Sequence, residues 1–426
     1  MDIRPTTASF GLLGRTLGHS WSPRIHTTLG SAPYALFERE PEDVEDFVRN
    51  GSWKGINVTI PYKRDAARLA DARTSRVERL GVANTLVRER DGSVLADNTD
   101  ILGFGWMLER FAQRELGCSA SHAFRDAKAL VLGSGGASQA VQACLHDVRA
   151  NVVVISRAGA ETYETIAERH SDALLVVNTT PVGMYPNCPA SPLTDDQLRA
   201  FTRLRGVLDV VYNPERTGIC LAAERLGIAY ESGLAMLVSQ AFYSSQLFQG
   251  LRLDQDLISK IEDDIRKSTR NVVFIGMPGC GKTAAGRRLA HMVNRPFVDL
   301  DDSFVVDHGL TPAECIEQRG EETFRALETQ TTASYGARSG LVIACGGGVV
   351  TQSRNYDLLH QNGTIVFLDR PLDELATEGR PLSKAMGIQT LARQRMGLYR
   401  QWADLSLACT GTAAGDAMEV RRLLGL

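Results

Sequence analysis

Asn271–Thr283 reads NVVFIGMPGCGKT, and the rest of the chain is arranged on either side of it. Asn271–Ile275 is an apolar, β-branched run suited to a strand buried on both faces. Gly276, Gly281, Lys282 and Thr283 follow in the G-x-x-x-x-G-K-[ST] spacing, and Ala284–Met292 reads as helix. This order suits a polyphosphate. In the turn formed by Gly276, Pro278, Gly279, Cys280 and Gly281, successive backbone N–H groups can face inward around an anion. The following helix adds the positive end of its dipole. Lys282 is placed to reach the β- and γ-phosphates and Thr283 to hold Mg²⁺. A glycine turn beside a solvated lysine is the plainer alternative, but the strand before and the helix after favour a nucleotide triphosphate site.

The chain has 426 residues, enough for two or three domains with their own cores. Its formal charge is −3 with charged residues interspersed, so no basic stripe marks a nucleic-acid partner. The eight cysteines fall singly, without C-x-x-C or zinc-like spacing, as in a reducing cytosol. Met1–Phe10 lacks a basic region followed by an apolar run, and no apolar stretch has spanning length. The expectation is a cytoplasmic α/β enzyme with no membrane partner and an oligomeric state the sequence leaves open.

In the first third, Phe10–Gly14 is a short strand, and Ser20 and Ser22 stand just ahead of Pro23, which can open a helix. Two hydroxyls there can bind a carboxylate or polyol, or one can cap the helix. Gly55–Lys63 (GINVTIPYK) is a strand with Thr59 and Lys63 at its C-terminal end, the edge at which parallel α/β sheets bind ligands. Gly81–Leu86, with Asn84, and Ala96–Phe104, with Asp100, read as further polar clusters at strand-to-helix junctions. Singly, Lys63 could be a solvated lysine and Asp100 an N-cap. Together these groups describe a polar pocket.

In the middle third, Lys128–Leu132 is a strand followed by Gly133, Ser134, Gly135, Gly136, Ala137 and Ser138, then a helix, then the strand Asn151–Ile155. This is a βαβ unit with its glycine loop at the first turn, where a dinucleotide pyrophosphate meets a helix N-terminus. The second strand ends in Ser156-Arg157 where an acid would bind a ribose 2′-hydroxyl. A guanidinium suits a 2′-phosphate, so NADP(H) is expected. Asn178–Met184 (NTTPVGM, with Asn178 and Thr179) and Asp209–Pro214 (DVVYNP, with Tyr212) are strand ends with loops. Gly233–Tyr243 (GLAMLVSQAFY) is an apolar helix carrying Gln240.

On HSWSP, NVTIPYK, GVANT, DNTD, GSGGAS, NTTPVGM, DVVYNP and GLAMLVSQA, residues from about 8 to 265 resemble shikimate dehydrogenase. The resemblance implies NADP-linked reduction of 3-dehydroshikimate to shikimate. It implies substrate binding by Ser20, Ser22, Thr59, Lys63, Asn84, Asp100, Tyr212 and Gln240, with Lys63 and Asp100 as the acid/base pair. It also implies cofactor binding by residues 133–138, Ser156, Arg157, Asn178, Thr179 and Gly233. An adjacent carboxylate favours the ammonium form of a lysine, so Lys63 is expected to donate the proton in reduction and oxidation to favour higher pH. Gln139 and Ser156-Arg157-Ala158 depart from the family's usual phosphate clamp, which implies modest NADP selectivity.

Leu253–Lys267 is amphipathic, with Leu257, Ile258, Ile261 and Ile265 on one face, and leaves Ser268–Arg270 as a short joint. Beyond the phosphate turn, RPFVDLDD is read as a strand on which Asp299 and Asp301 point one way. Two carboxylates beside a Mg–nucleotide can divide between metal and attacking hydroxyl. Gly320–Glu328 places Arg325 on a helix, either as a ligand group or in a surface ion pair. Leu341–Cys345 is a buried strand leading to Gly346, Gly347 and Gly348, a close-approach backbone or a flexible turn. On GMPGCGKT, FVDLD, GEETFRALE, CGGGVV, GRPL and RMGLYRQWAD, residues from about 270 to 426 resemble shikimate kinase. The resemblance implies ATP-dependent phosphorylation of the shikimate 3-hydroxyl, with substrate held by Asp301, Arg325, Gly346–Gly348 and Arg395. It places Mg²⁺ on Thr283 and Asp299, with Lys282 and a lid residue, Arg380, neutralising the transferred phosphoryl group. The lid is several residues shorter than usual, with no counterpart to the basic residue that often lies against adenine.

The expected fold class is α/β throughout. A two-lobed shikimate-dehydrogenase-like unit with a Rossmann-type NADP lobe precedes a P-loop kinase domain. Residues 1–105, completed by helices near 237–267, form the substrate lobe, 106–236 the cofactor lobe and 268–426 the kinase. The product implied by the first unit is the substrate implied by the second. A quinate/shikimate dehydrogenase using NAD, or an inactive sensor of the pathway, is the alternative.

Overall fold

The run Asn271–Ile275 does form a strand with every residue buried, in one of the three sheets of the described residues. The computed structural model describes residues 9–18, 20–375 and 387–426. They cluster into two units. The first comprises Met1–Val182, Ser191–Tyr212 and Ala222–Asp264; the second comprises Gly183–Ala190, Asn213–Leu221 and Ile265–Leu426.

The first unit contains two sheets. In one, β1 (Phe10–Gly14), β2 (Tyr34–Glu38), β3 (Gly55–Val58), β4 (Ala72–Arg73), β5 (Thr85–Arg88) and β6 (Val94–Asp97) lie in the order β2-β1-β3-β5-β6-β4. Strands β1, β2 and β3 are parallel, whereas β5 is antiparallel to both β3 and β6. The expected junction at Gly81–Leu86 is therefore corrected. Gly81, at φ 68°, ends the Ser75–Leu80 helix, and Asn84 leads into a strand rather than out of one. Because Thr85 pairs with Asn57 across the antiparallel ladder, the entry to β5 still lies beside the exit of β3. Leu13, Trp53, Ile56, Val58 and Leu86 form the core on this sheet.

The other sheet has β7 (Lys128–Leu132), β8 (Asn151–Ile155), β9 (Leu175–Asn178), β10 (Gly206–Asp209) and β11 (Tyr230–Glu231), in the order β11-β10-β9-β7-β8. All its pairings are parallel, and β9 and β10 are buried throughout, as strands covered on both faces must be. The Thr99–Phe111 helix contributes Phe104, Met107, Leu108 and Phe111 to this core. Ser239, on the Leu234–Gln249 helix, donates its hydroxyl to Gly103 O at 3.1 Å and fastens the two helices.

The amphipathic segment forms a helix over Asp256–Thr269 with Ile258, Ile261 and Ile265 buried. Its apolar face also hides Glu262, which accepts from Arg110 Nη1 at 2.8 Å. The joint is shorter than Ser268–Arg270. Ser268 and Thr269 are helical, each hydroxyl donating to Ile265 O at 2.8 Å, so Arg270 alone precedes β12.

In the second unit, β12 (Asn271–Ile275), β13 (Phe297–Asp299), β14 (Val342–Ala344), β15 (Gly363–Asp369) and β16 (Leu405–Ala408) are parallel in the order β13-β14-β12-β15-β16. Asp299 and Asp301 do not share one face of a strand. Strand β13 ends at Asp299, which becomes the N-cap of the Leu300–His308 helix and accepts from Asp301 N at 3.0 Å. An aspartate at a strand end caps a helix as readily as it continues a strand.

Candidate active sites

In the first unit, junctions of several kinds deliver side chains to one place. Thr59 and Lys63 follow β3, and Asn84 precedes β5. Asp100 occupies the first turn of the Thr99–Phe111 helix, and Ser20 and Ser22 stand at the start of the Ser22–Thr28 helix. Tyr212 follows β10, and Gln240 lies on the Leu234–Gln249 helix. All eight line one cavity of about 260 Å³, together with Ala137 of the glycine loop and Gly233.

Lys63 Nζ lies 2.6 Å from Asp100 Oδ2, with the side chains 19% and 11% exposed. Asn84 Nδ2 donates to Asp100 Oδ1 at 2.9 Å, so both carboxylate oxygens are engaged. Asn84 Oδ1 accepts from Thr99 N at 2.7 Å, which fixes the amide's orientation. Its Nδ2 also lies 3.3 Å from Gln240 Oε1. Asp100 is not the N-cap; that position is Asn98, so the Asp100 carboxylate faces the pocket chemistry instead. Nor does either serine cap its helix, since the N-cap is Trp21. Ser20 Oγ accepts from Ser22 N at 3.2 Å. Tyr212 packs on Trp21 with ring centroids 5.0 Å apart, and burial pushes its phenol up.

Sequence reasoning missed part of this wall. Asn57 is buried on β3, accepts from Tyr34 Oη at 2.9 Å and donates to Thr85 Oγ1 at 3.3 Å beneath Asn84. An asparagine in an otherwise apolar buried strand was the available signal. Met236 and Leu237 line the cavity with Gln240. Their helical spacing to it marks a common face.

The dinucleotide loop precedes the Gly136–Asp147 helix, with Gly135 at its N-cap. Gly133 has φ 103°, and a Cβ there would meet Thr180 Cγ2 at 2.9 Å. Beside Gly135 and Gly136 lies open space, and Ser134 is exposed, so the helix N-terminus has room for a pyrophosphate. Ser138 is buried and its hydroxyl closes the loop onto Gly133 O at 2.7 Å. Asn178 and Thr179 brace the same edge: Asn178 Nδ2 donates to Asp209 Oδ1 at 3.0 Å and Thr179 Oγ1 to Leu132 O at 2.7 Å. Past β8, Ser156 is half-buried and Arg157 exposed. The residues fit a dinucleotide.

In the second unit the phosphate turn has Gly276, Gly279 and Gly281 at φ 144°, 88° and 102°, which L side chains rarely adopt. Lys282 is buried, with Nζ 3.0 Å from the carbonyls of both Gly276 and Met277. Thr283 Oγ1 donates to Asp299 Oδ2 at 2.7 Å. Among the described residues no three His, Cys, Asp or Glu side chains gather as a metal cluster. A hydroxyl and a carboxylate are the partial set that suits Mg²⁺, which commonly takes its other ligands from phosphates and water.

The three consecutive glycines are not a flexible turn. A Cβ on Gly346 would meet Asp301 Oδ1 at 2.7 Å, one on Gly347 would meet Pro278 Cγ at 2.7 Å, and one on Gly348 would overlap the Arg325 guanidinium. Nor is Arg325 in a surface ion pair. It is buried and holds Glu328 at 2.8 Å and Glu321 at 3.1 Å. Arg395 is buried too; Nη1 donates to Gly347 O at 3.1 Å, while Nε has no partner among the described residues. That orphaned donor fits an incoming anion. Asp301 presents surface to the site yet is ringed by protein, and this desolvation, then the nearby Asp299, pushes its carboxyl up. Burial also pushes Glu328 up, against the pull of Arg325. Arg380 lies outside the described residues.

A mixed sheet and a dinucleotide sheet sharing one cleft, followed by a parallel sheet with a phosphate turn, define an α/β enzyme with two nucleotide sites. Residues 12–86 match the family model for the shikimate dehydrogenase substrate binding domain, and residues 278–422 that for shikimate kinase. The chain is 34% identical over 270 residues to a shikimate dehydrogenase (NADP(+)) of Clostridium beijerinckii, covering 58% of this chain and 94% of that one. Its structure is similar to a chorismate mutase/shikimate 5-dehydrogenase fusion protein from Clostridium acetobutylicum, at TM-score 0.55 and 29% identity over 61% of this chain and 97% of that one. It is also similar to the shikimate 5-dehydrogenase of Thermus thermophilus in complex with NADP(H) and shikimate, at TM-score 0.51 and 27% identity, covering 60% and 98%. The chain belongs to the shikimate dehydrogenase family and carries a shikimate kinase domain after it, a bifunctional enzyme. Among the described residues no helix is long and apolar enough to cross a membrane.

Proposed function

We propose that this chain reduces 3-dehydroshikimate to shikimate with NADPH and then phosphorylates the shikimate 3-hydroxyl with ATP. One observation carries the first step: six further polar side chains meet around the Lys63–Asp100 pair in a cavity that also reaches Ala137. NADPH, when bound, supplies hydride to the substrate carbonyl. The Lys63 ammonium gives the resulting alkoxide its proton, and Asp100 holds that ammonium in place. Asn84 and Gln240 orient the ring hydroxyls, and Ser20, Ser22, Thr59 and Tyr212 complete the pocket. Residues 133–138, Ser156, Arg157, Asn178, Thr179 and Gly233 hold the cofactor, with Arg157 on the 2′-phosphate.

In the second step Arg325 and Arg395 take the shikimate carboxylate beside Gly346–Gly348. Asp301 accepts the proton of the attacking hydroxyl. ATP with Mg²⁺ supplies the phosphoryl group, with Thr283 and Asp299 as the metal's protein partners. Gly276, Pro278, Gly279, Cys280, Gly281 and Lys282 cradle the phosphates, and Lys282 and Arg380 offset the charge that develops on transfer. Residues 1–105 with helices near 237–267 act as the substrate lobe, 106–236 as the cofactor lobe and 268–426 as the kinase, in the cytoplasm. Lys63→Met tests the division of labour. It should abolish NADPH oxidation by 3-dehydroshikimate and spare ATP-dependent phosphorylation of added shikimate; loss of both, in a folded variant, contradicts two separate sites.

A further inference from the structure

The phosphate turn is held from behind by a side chain that the dehydrogenase and kinase motifs do not include. Arg370 follows the end of β15, and its Nε donates to the carbonyl of Cys280 at 3.0 Å. Its Nη2 reaches Asp416 Oδ2 at 3.4 Å, and Nη1 lies 3.7 Å from Glu374. Asp416 is fully buried and also accepts from Thr410 N at 2.6 Å and Thr410 Oγ1 at 2.9 Å, between β16 and the Ala413–Leu424 helix. One guanidinium therefore joins three segments: the phosphate turn, the end of β15 and the loop after β16.

The Cys280 carbonyl belongs to the same peptide plane as the Gly281 N–H. In a trans peptide these two groups point in opposite directions. Drawing the carbonyl toward Arg370 therefore drives the Gly281 N–H away from it. We propose that Arg370 is a positioning residue for ATP: it aims the Gly281 N–H into the phosphate cradle and locks the Thr410 loop to the same frame through Asp416. Two carboxylates offset its charge, so its contribution is orientation rather than field. A lysine cannot replace it fully, because one ammonium on a flexible stem lacks the fork that reaches Cys280 O and Asp416 at once.

This inference rests on the kinase reading, and the test separates the two. In the full-length chain, Arg370→Met should weaken ADP binding, measured by calorimetry, roughly tenfold, the loss of one hydrogen bond from a charged donor. KM for ATP should rise in parallel, with KM for shikimate and NADPH-linked turnover unchanged. Arg370→Lys should recover part of the loss. A merely structural role would lower the unfolding temperature and move neither KM, or both alike. Unchanged ADP affinity in folded Arg370→Met overturns the proposal. Should that variant fail to fold, Asp416→Asn serves instead: weaker ADP binding supports the proposal, and wild-type affinity overturns it. If the wild type binds ADP but transfers no phosphate to shikimate, the kinase reading fails while the ADP comparison still decides the role of Arg370.

Discussion

Lys63 and Asp100, 37 positions apart in the chain, meet at 2.6 Å between Nζ and Oδ2. The meeting depends on sheet direction. Lys63 opens the helix that follows β3, Asn84 enters the antiparallel β5 beside the exit of β3, and Asn84 clamps the second oxygen of Asp100. Asp100→Asn keeps the shape of this cluster and removes its charge. NADPH-linked turnover should fall by about 10²–10⁴-fold, the usual worth of a positioned proton donor or its partner. Initial rates with 3-dehydroshikimate measure this, and phosphorylation of added shikimate should be unaffected; a full dehydrogenase rate contradicts the assigned pair.

Arg157 is exposed past β8, where a solvent-facing guanidinium can meet a 2′-phosphate. Arg157→Ala should raise KM for NADPH roughly tenfold and leave KM for NADH unchanged, since only the former offers the charged partner. Equal changes for both cofactors would place Arg157 outside the phosphate clamp.

Gly348 leaves no room for a Cβ because Arg325 fills that space. Gly348→Ala should displace the guanidinium from the substrate carboxylate and raise KM for shikimate at least tenfold, about 1.4 kcal/mol or more. KM for ATP should change much less. Steady-state kinetics with each substrate varied in turn distinguish the two.

Asp301 has its carboxyl raised above 3.8 by the surrounding protein and by Asp299. It must be ionised to accept a proton, so phosphorylation should decline on the acid side at higher pH than an ordinary carboxylate would dictate. For stability the sign is opposite. A raised folded value contributes stability below pH 3.8, lost as pH rises through the folded value. Asp301→Asn should therefore abolish phosphorylation yet raise the unfolding temperature of the kinase unit at neutral pH, with the gain shrinking as pH falls. A variant destabilised at neutral pH would contradict this.

Much of the fold was legible because short parallel strands buried on both faces write themselves as β-branched runs. The boundaries of β12 follow from such a run, and those of β1, β7 and β8 from short apolar runs closed by a glycine or a polar loop. Direction and closure were not legible. Alternation cannot tell a parallel from an antiparallel strand, so Asn84 was placed at the wrong kind of junction. Asp299 could extend a strand or cap a helix, and only the hydrogen bond from Asp301 N decides. The three glycines read either as a close-approach backbone or as a flexible turn, and only the structure decides, since Asp301, Pro278 and Arg325 each exclude a Cβ. Arg370 lies outside every motif and Asn57, though inside NVTIPYK, reads there only as part of a strand; the importance of both lies in partners distant in sequence.

The most direct measurement follows 3-dehydroshikimate through both steps on one purified protein. With NADPH alone, one shikimate should form per NADPH oxidised, and NADH should serve less well. On adding ATP and Mg²⁺, that shikimate should become shikimate 3-phosphate with one ADP released for each. Absence of NADPH oxidation, or shikimate that accumulates unphosphorylated in the presence of ATP, would contradict the account.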